Sequence, residues 1–403
     1  MNRPDGQILG NTAVSAVTQA ELTVVLLTDT SVWQRDKIRW DAWCAQAPHP
    51  SFFCTTDWLE TWWETYGGAV EPWILQVKRG DAVVGYAPLM RIVRHPVPLV
   101  NVRSIEFIGT GERVCPEYLD VISVPGEQVA VRRAVSEFLT DCRNEWDRLW
   151  LSDGLAGDSL SDYVANDNQH GSARRKIQGH VCPYIDLADN WDTLLAGIRP
   201  HMRRKIRQIA NRIEREQKVT WRVHAADDDP AHAVQVMTDL HTRARQLKGE
   251  AGNFIDPVYQ RLHTALIRRT AQSDQLYLGF LELGGTPATF YYGFRCGSTF
   301  FNYQTGYNPE FARYRPGWYA LSRMIRDLIG RGCKCVDFLR GDHDYKWHWA
   351  GGWHETMTGA VFSTGMAGRL NDWLYRTRRL IRHGQTSPAV PPDFVRAQTD
   401  REE

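Results

Sequence analysis

The stretch that decides the fold is Tyr307–Gly341, "YNPEFARYRPGWYALSRMIRDLIGRGCKCVDFLRG". It reads as the end of an aromatic strand, a tight turn at Arg315-Pro316-Gly317, an amphipathic helix starting near Trp318, and a strand "CKCVDFLRG". A helix entered through such a turn leaves its first backbone N–H groups without intrahelical partners, and its positive dipole end favours an anion. Gly317 allows close approach to the backbone, and Arg313 and Arg315 add charge. The turn is thus a candidate anion site made of Arg313, Arg315, Gly317 and Trp318, although Pro-Gly also opens ordinary helices.

Upstream, "QLYLGFLELGGTPATFYYGFRCGSTFFNYQTGYN" reads as three antiparallel strands turning at Gly284-Gly285 and Cys296-Gly297. Two helices and the strand "VTWRVHA" precede it, and before these comes a basic helix, "IRPHMRRKIRQIANRIEREQ". Its Ile198, Met202, Ile206, Ile209 and Ile213 form an apolar stripe, with Arg203, Arg204, Lys205, Arg207 and Arg212 on the other faces. Downstream, "ETMTGAVFST" reads as a closing hairpin, and "RLNDWLYRTRRLIRH" as a last basic helix.

The first half repeats the order: the strand "ELTVVLL", two helices, a hairpin around Arg79-Gly80-Asp81, the strand "VRSIEFIG", the helix "VAVRRAVSEFLTDC" and the strand "DRLWLSD". A polar crossing segment over 154–179 leads to the strand "HVCPYIDL". Both halves therefore spell β-α-α-β-β-β-α-β, which points to internal duplication. The expectation is a mixed α/β (α+β) protein with an N-terminal domain at 21–181, a C-terminal domain at 182–383 and a disordered tail at 384–403. Each domain is expected to own a sheet whose fourth and fifth strands diverge.

Composition narrows the function. The 403 residues carry 48 Lys+Arg against 47 Asp+Glu, so bulk charge does not recruit nucleic acid, and any basic site is local. The eight cysteines lack C-x-x-C pairs and zinc spacing. No apolar leader or span of ~20 residues is present, so a cytoplasmic location is expected. The loop residues Asp342, His343, Asp344, His348 and His354 match no metal-ligand spacing, and the expectation is no metal. Asp337, flanked by Val336 and Phe338 on a strand, stands out because a buried carboxylate is costly unless hydrogen-bonded or functional.

The order of elements, and above all "YNPEFARYRPGWYALSRMI" followed by "GCKCVDFLRGDHDYKWHW", resembles the GNAT acyltransferase superfamily. More narrowly it looks like the FemAB-like and CelD-like branch, the latter associated with cellulose and exopolysaccharide biosynthesis, and built of tandem GNAT folds. The discriminating letters lie in the second half. The resemblance implies transfer of an acyl group, by first preference acetyl, from acyl-CoA to an amine or hydroxyl of a sugar-like or cell-envelope precursor. The arginines and glycine of "RYRPGWYA" stand near, but not at, the spacing of the GNAT pyrophosphate signature. A FemABX-type aminoacyl transferase using charged tRNA is therefore the alternative within enzymes, and a non-catalytic scaffold of a polysaccharide-synthesis complex the alternative outside them. On this reading Asp337, Asp342 and His348 are the candidates for acid–base work. Arg313, Arg315, Gly317 and Trp318 hold the donor, and Tyr303, Tyr307, Lys346 and Trp347 line the acceptor groove. The first half has no comparable turn, since Gly126-Glu127 puts a carboxylate where phosphate would sit.

Overall fold

The structure, a computed structural model, describes residues 21–111, 113–166, 172–341, 343–381 and 390. The expected tail at 384–403 lies, but for Val390, outside the described residues. The first half runs β1 (Leu22–Leu27), α1 (Ser31–Gln46), α2 (Thr56–Tyr66), β2 (Glu71–Pro72), β3 (Ile74–Arg79), β4 (Ala82–Ala87), β5 (Leu89–Arg94) and β6 (Val102–Phe107). It continues through β7 (Ile122–Ser123), α3 (Gln128–Asp141), β8 (Arg148–Leu155), α4 (Leu160–Asn166) and β9 (Ala173–Asp186). The second half opens with α5 (Trp191–Gly197), α6 (Pro200–Glu216), β10 (Val219–Val223), α7 (Pro230–Gln246) and α8 (Pro257–Thr270). Then come β11 (Leu276–Leu283), β12 (Thr286–Cys296), β13 (Thr299–Tyr307), α9 (Pro316–Gly330), β14 (Cys335–Asp337), α10 (Asp344–Trp349), β15 (Gly352–Phe362) and α11 (Met366–Ile381).

The strands form mixed, largely antiparallel sheets flanked by helices, as expected. One sheet has the order β1-β3-β4-β7; the other runs β10-β11-β12-β13-β14-β9-β15-β8-β6-β5-β2. Among the described residues, only β13 with β14 and β6 with β8 pair in parallel.

The larger sheet corrects the expectation of a separate sheet in each half. The strand expected over "HVCPYIDL" starts earlier, at Ala173, and at 14 residues β9 is long enough to pair with both β14 and β15. The closing hairpin expected at "ETMTGAVFST" is instead the single strand β15, inserted between β8 and β9. Strands that are neighbours in sequence are thereby separated by one from near the end of the chain. Residue 181, where the first domain was expected to stop, falls inside β9.

Side chains join the halves as well. Phe52 stacks on Phe294 with centroids 4.1 Å apart, and Phe53 and Trp58 pack against Tyr303. All five are buried in one cluster, where truncating a single Phe costs ~3–5 kcal/mol. A second cluster, drawn from the second half apart from Ile185 of β9, packs Ile206 and Ile213 of α6 with Tyr319, Met324 and Leu328 of α9; Met202 of α6 is buried as well.

Candidate active site

β13 and β14 pair over three residues, Thr299↔Cys335, Phe300↔Val336 and Phe301↔Asp337, and then diverge. Beyond Phe301 the β13 edge that faced β14 has no strand partner among the described residues, so its backbone polar groups are offered to a ligand. The divergence opens a cleft of about 630 Å3. Its walls come from β13, the start of α9, the last turns of α7, the loop after β14 and the Cys115–Glu117 segment of the first half.

One end of the cleft is the start of α9. Four helices of the second half, α6 to α9, begin with proline at the first position, yet they are capped differently. Asp229 and Asp256 cap α7 and α8 by accepting the N–H of Ala231 and of Val258, each at 2.9 Å. At α9 the capping residue is Arg315, whose side chain caps nothing and which is held at φ +55°. A cation thus stands where α7 and α8 carry a carboxylate, as Arg199 does before α6, and the first turn of α9 keeps its capacity for an external anion. A Cβ on Gly317 would meet only the Tyr291 hydroxyl, at 3.7 Å, so the space before the turn is open. Tyr291 donates to the Gly317 carbonyl (3.1 Å) and steadies it. Trp318 closes the side, with the Lys205 ammonium 4.1 Å from its ring centroid. Arg245, Lys248, Arg315, Arg340 and Lys346 all line the cleft, against one carboxylate among the described residues, that of Glu117.

The other end is built across the two halves. Arg340, from the loop after β14, donates to Glu117 Oε1, to the Pro116 carbonyl (2.7 Å) and to Asp153 (2.6 Å). Glu117 is fully buried, and its Oε2 has no hydrogen-bond partner among the described residues. Burial pushes its carboxyl above the ordinary carboxylate range, and Arg340 opposes the shift. The Lys346 ammonium donates to the carbonyls of Leu339 (3.1 Å) and Arg340 (2.6 Å), which fixes the loop that carries the arginine. Tyr118, Asp153 and Leu339 sit at φ +61°, +60° and +55° around this junction, conformations that non-glycine residues hold only when their surroundings impose them.

Of the residues singled out from the sequence, Tyr303, Tyr307, Arg315, Gly317, Trp318 and Lys346 meet in the cleft. Asp342 lies outside the described residues. Arg313 turns away and packs its guanidinium 4.6 Å from the Tyr314 ring centroid. Trp347 and His348 line a separate hollow of about 410 Å3 with Arg199 and Ile198. Burial lowers the His348 pKa, helped by the Lys205 charge. Asp337 is not in the cleft wall. It is 2% exposed and spans the halves, accepting from the Tyr118 hydroxyl (2.8 Å) and the Leu339 N–H (2.7 Å). Burial raises its pKa to about 7 against those two hydrogen bonds. Glu117, Arg340, His241 and Asn302 are cleft residues that the sequence reading did not single out. The Cys115 thiol, also in the wall, is pushed up to about 11 by burial and so stays protonated at neutral pH. Among the described residues, no group of three or more His, Cys, Asp or Glu side chains is placed to hold a metal ion.

The corresponding place in the first half, between β7 and the start of α3, holds a space of about 40 Å3, room for a few waters at most. Arg132 of α3 fills it with ion pairs to Asp120 (2.9 Å) and Asp158. Glu127, the residue before α3, accepts from Arg79 at 2.7 Å.

Residues 200–347 match the acetyltransferase (GNAT) domain family. That span contains the α9 turn, the β13–β14 divergence and Arg340, but not Glu117. No curated protein sequence matches the chain. Among solved structures, FemX shares 12% identity at a TM-score of 0.57, over 83% of this chain and 96% of that one. A conserved protein of unknown function from Bacteroides thetaiotaomicron aligns at 10% identity and TM-score 0.51, over 84% of this chain and 100% of its own. The C-terminal domain of a putative lysylphosphatidylglycerol synthetase from Agrobacterium fabrum gives 10% and 0.50, over 84% and 95%. At these identities the likeness is one of fold. It runs through both halves, and the fold is the tandem GNAT arrangement.

Proposed function

We propose that the protein is an acyltransferase that moves an acyl group, by first preference acetyl from acetyl-CoA, to an amine or hydroxyl of a sugar-like or envelope precursor. The observation that carries the reading is the cleft itself: a β13 edge freed from β14, with an uncapped, arginine-flanked helix start at one end and a buried carboxylate at the other. The donor's pyrophosphate fits the first turn of α9 and the Arg315 guanidinium. Its amide-bearing arm fits along the free edge of residues 302–307, and the thioester then reaches the Glu117 end. There the acceptor's lone pair attacks the thioester carbonyl, Glu117 takes the acceptor's proton, and the carbon–sulfur bond breaks to release thiolate, which solvent protonates. The second half supplies the donor site and the first half the base, so neither of the domains expected at 21–181 and 182–383 is competent alone.

One observation favours a second carrier. α6 lies beside the α9 turn, with Lys205 over Trp318 and Arg212 donating to the Arg313 carbonyl (3.3 Å), while Arg204 and Arg207 are exposed. Such a basic flank suits a long polyanion, as an aminoacyl-tRNA would be. A thermal-shift series with acetyl-CoA, longer acyl-CoAs, free CoA and charged tRNA separates the two carriers, because a ligand at 100 times its Kd stabilises by about 2.7 kcal/mol. Crystals soaked in CoA are expected to show pyrophosphate at Gly317 rather than at Gly126. No shift with any carrier would sink the enzyme reading in favour of a scaffold.

A further inference from the structure

The last helix presents its apolar residues to the wrong side. α11 turns Gly368, Asn371 and Asp372 inward, all buried, and its Tyr375 ring packs beside Trp150 and Phe362 at 5.9 and 6.0 Å. At 100° per residue the opposite side is a stripe of Met366, Leu370 and Trp373, which are 91%, 36% and 56% exposed. Arginines flank it: α11 carries Arg369, Arg376, Arg378 and Arg379. Its one acidic residue, Asp372, is held by Arg175 (2.9 Å) and Arg376 (3.1 Å), so the helix surface is cationic. Arg378 also donates to the Pro96 carbonyl (2.6 Å), which ties the turn after β5 to the helix. That turn carries Leu99, fully exposed and at φ +67°.

An outward stripe of Met, Leu and Trp between arginines is not what water selects for a helix already anchored by its other face. It is the pattern of a helix lying in a lipid interface, with indole at headgroup depth and guanidinium groups on the phosphates. At 16 residues α11 is roughly 24 Å long and too polar to cross a bilayer, and among the described residues no helix is long and apolar enough to do so. We propose that α11, with the Leu99 turn beside it, docks the protein on the surface of an anionic lipid bilayer. Charge complementarity selects that occupant over a neutral apolar partner, and the inference stands whether or not the cleft transfers acyl groups.

The test is flotation of the full chain with phosphatidylcholine vesicles, with and without about 30 mol % phosphatidylglycerol. Binding is expected to be at least ~10-fold stronger with phosphatidylglycerol and to weaken several-fold at ~0.5 M salt, where the Debye length shortens. The double variant Leu370→Glu with Trp373→Glu should abolish binding without moving the melting temperature, since both side chains point outward. Should that variant unfold, Arg369→Glu alone is expected to weaken binding to anionic vesicles. No binding to either vesicle overturns the proposal, as does binding unaffected by these substitutions. A dimer in sedimentation that the double variant disperses, without vesicle binding, would make the stripe an interface between copies and overturn it equally.

Discussion

Replacing Glu117 by Gln tests the junction chemistry most directly. The amide keeps the shape and still offers an oxygen to Arg340, which also retains Asp153 and the Pro116 carbonyl. The stability loss should therefore be ~1–2 kcal/mol, below the ~3–5 kcal/mol of a buried ion pair broken outright. The rate has no such fallback. A general base contributes ~10²–10⁴-fold, or ~3–5 kcal/mol at about 1.4 kcal/mol per decade, and Gln cannot accept the proton. Steady-state turnover with the donor and acceptor that the thermal-shift series identifies should fall by at least ~100-fold. The thermal shift given by the donor alone should be unchanged. The pH profile carries a second signature. Burial holds the Glu117 carboxyl above its ordinary range, so the base form is gained as pH rises through that elevated value. Wild-type activity should climb along this acid limb, and the limb should vanish in the variant. Turnover within ~3-fold of wild type, with the acid limb intact, would refute Glu117 as the base.

Three further outcomes follow from other parts of the molecule. Asp337 has a folded pKa raised to about 7 from 3.8, so the native state holds that proton more tightly than the unfolded chain. Its stabilising effect is complete below pH 3.8 and is lost as pH rises towards about 7; Asp337→Asn should therefore gain in melting temperature relative to wild type across that window, and parallel curves would remove the argument. Arg315→Gly relieves a left-handed residue and should add up to ~1 kcal/mol of stability while weakening donor binding ~5-fold or more by calorimetry. Arg132→Met leaves the half-buried Asp120 without its cation and should cost ~2–4 kcal/mol in denaturant unfolding, with the donor thermal shift intact.

What could be read from the sequence was what is local. The α9 stripe, the three-strand run β11–β13 and the Arg315 turn all declare themselves within the 55 residues from Leu276 to Gly330, through apolar spacing and glycine turns. Asp337 was legible as an anomalous carboxylate, but not its partner, since Tyr118 lies 219 residues away. Glu117 sits in "RVCPEYLDV", where nothing in spacing or composition marks it, and Arg340 lies inside a conspicuous motif without a visible role. Each acquires meaning only from the other, across the two halves. The insertion of β15 was hidden for the same reason: a strand's alternation states which face it buries, not which neighbour it chooses.

That insertion also sets the order in which the protein can be made. β8 is finished at Leu155, yet one of its edges stays open until Phe362 has left the ribosome, because the strand that closes it is β15. At ~5–20 residues per second the first half waits roughly ten seconds or more with an unpaired, largely apolar edge. Its early form is then a client for chaperones rather than a finished domain, and a nascent chain arrested before Gly352 should be sensitive to protease in both halves.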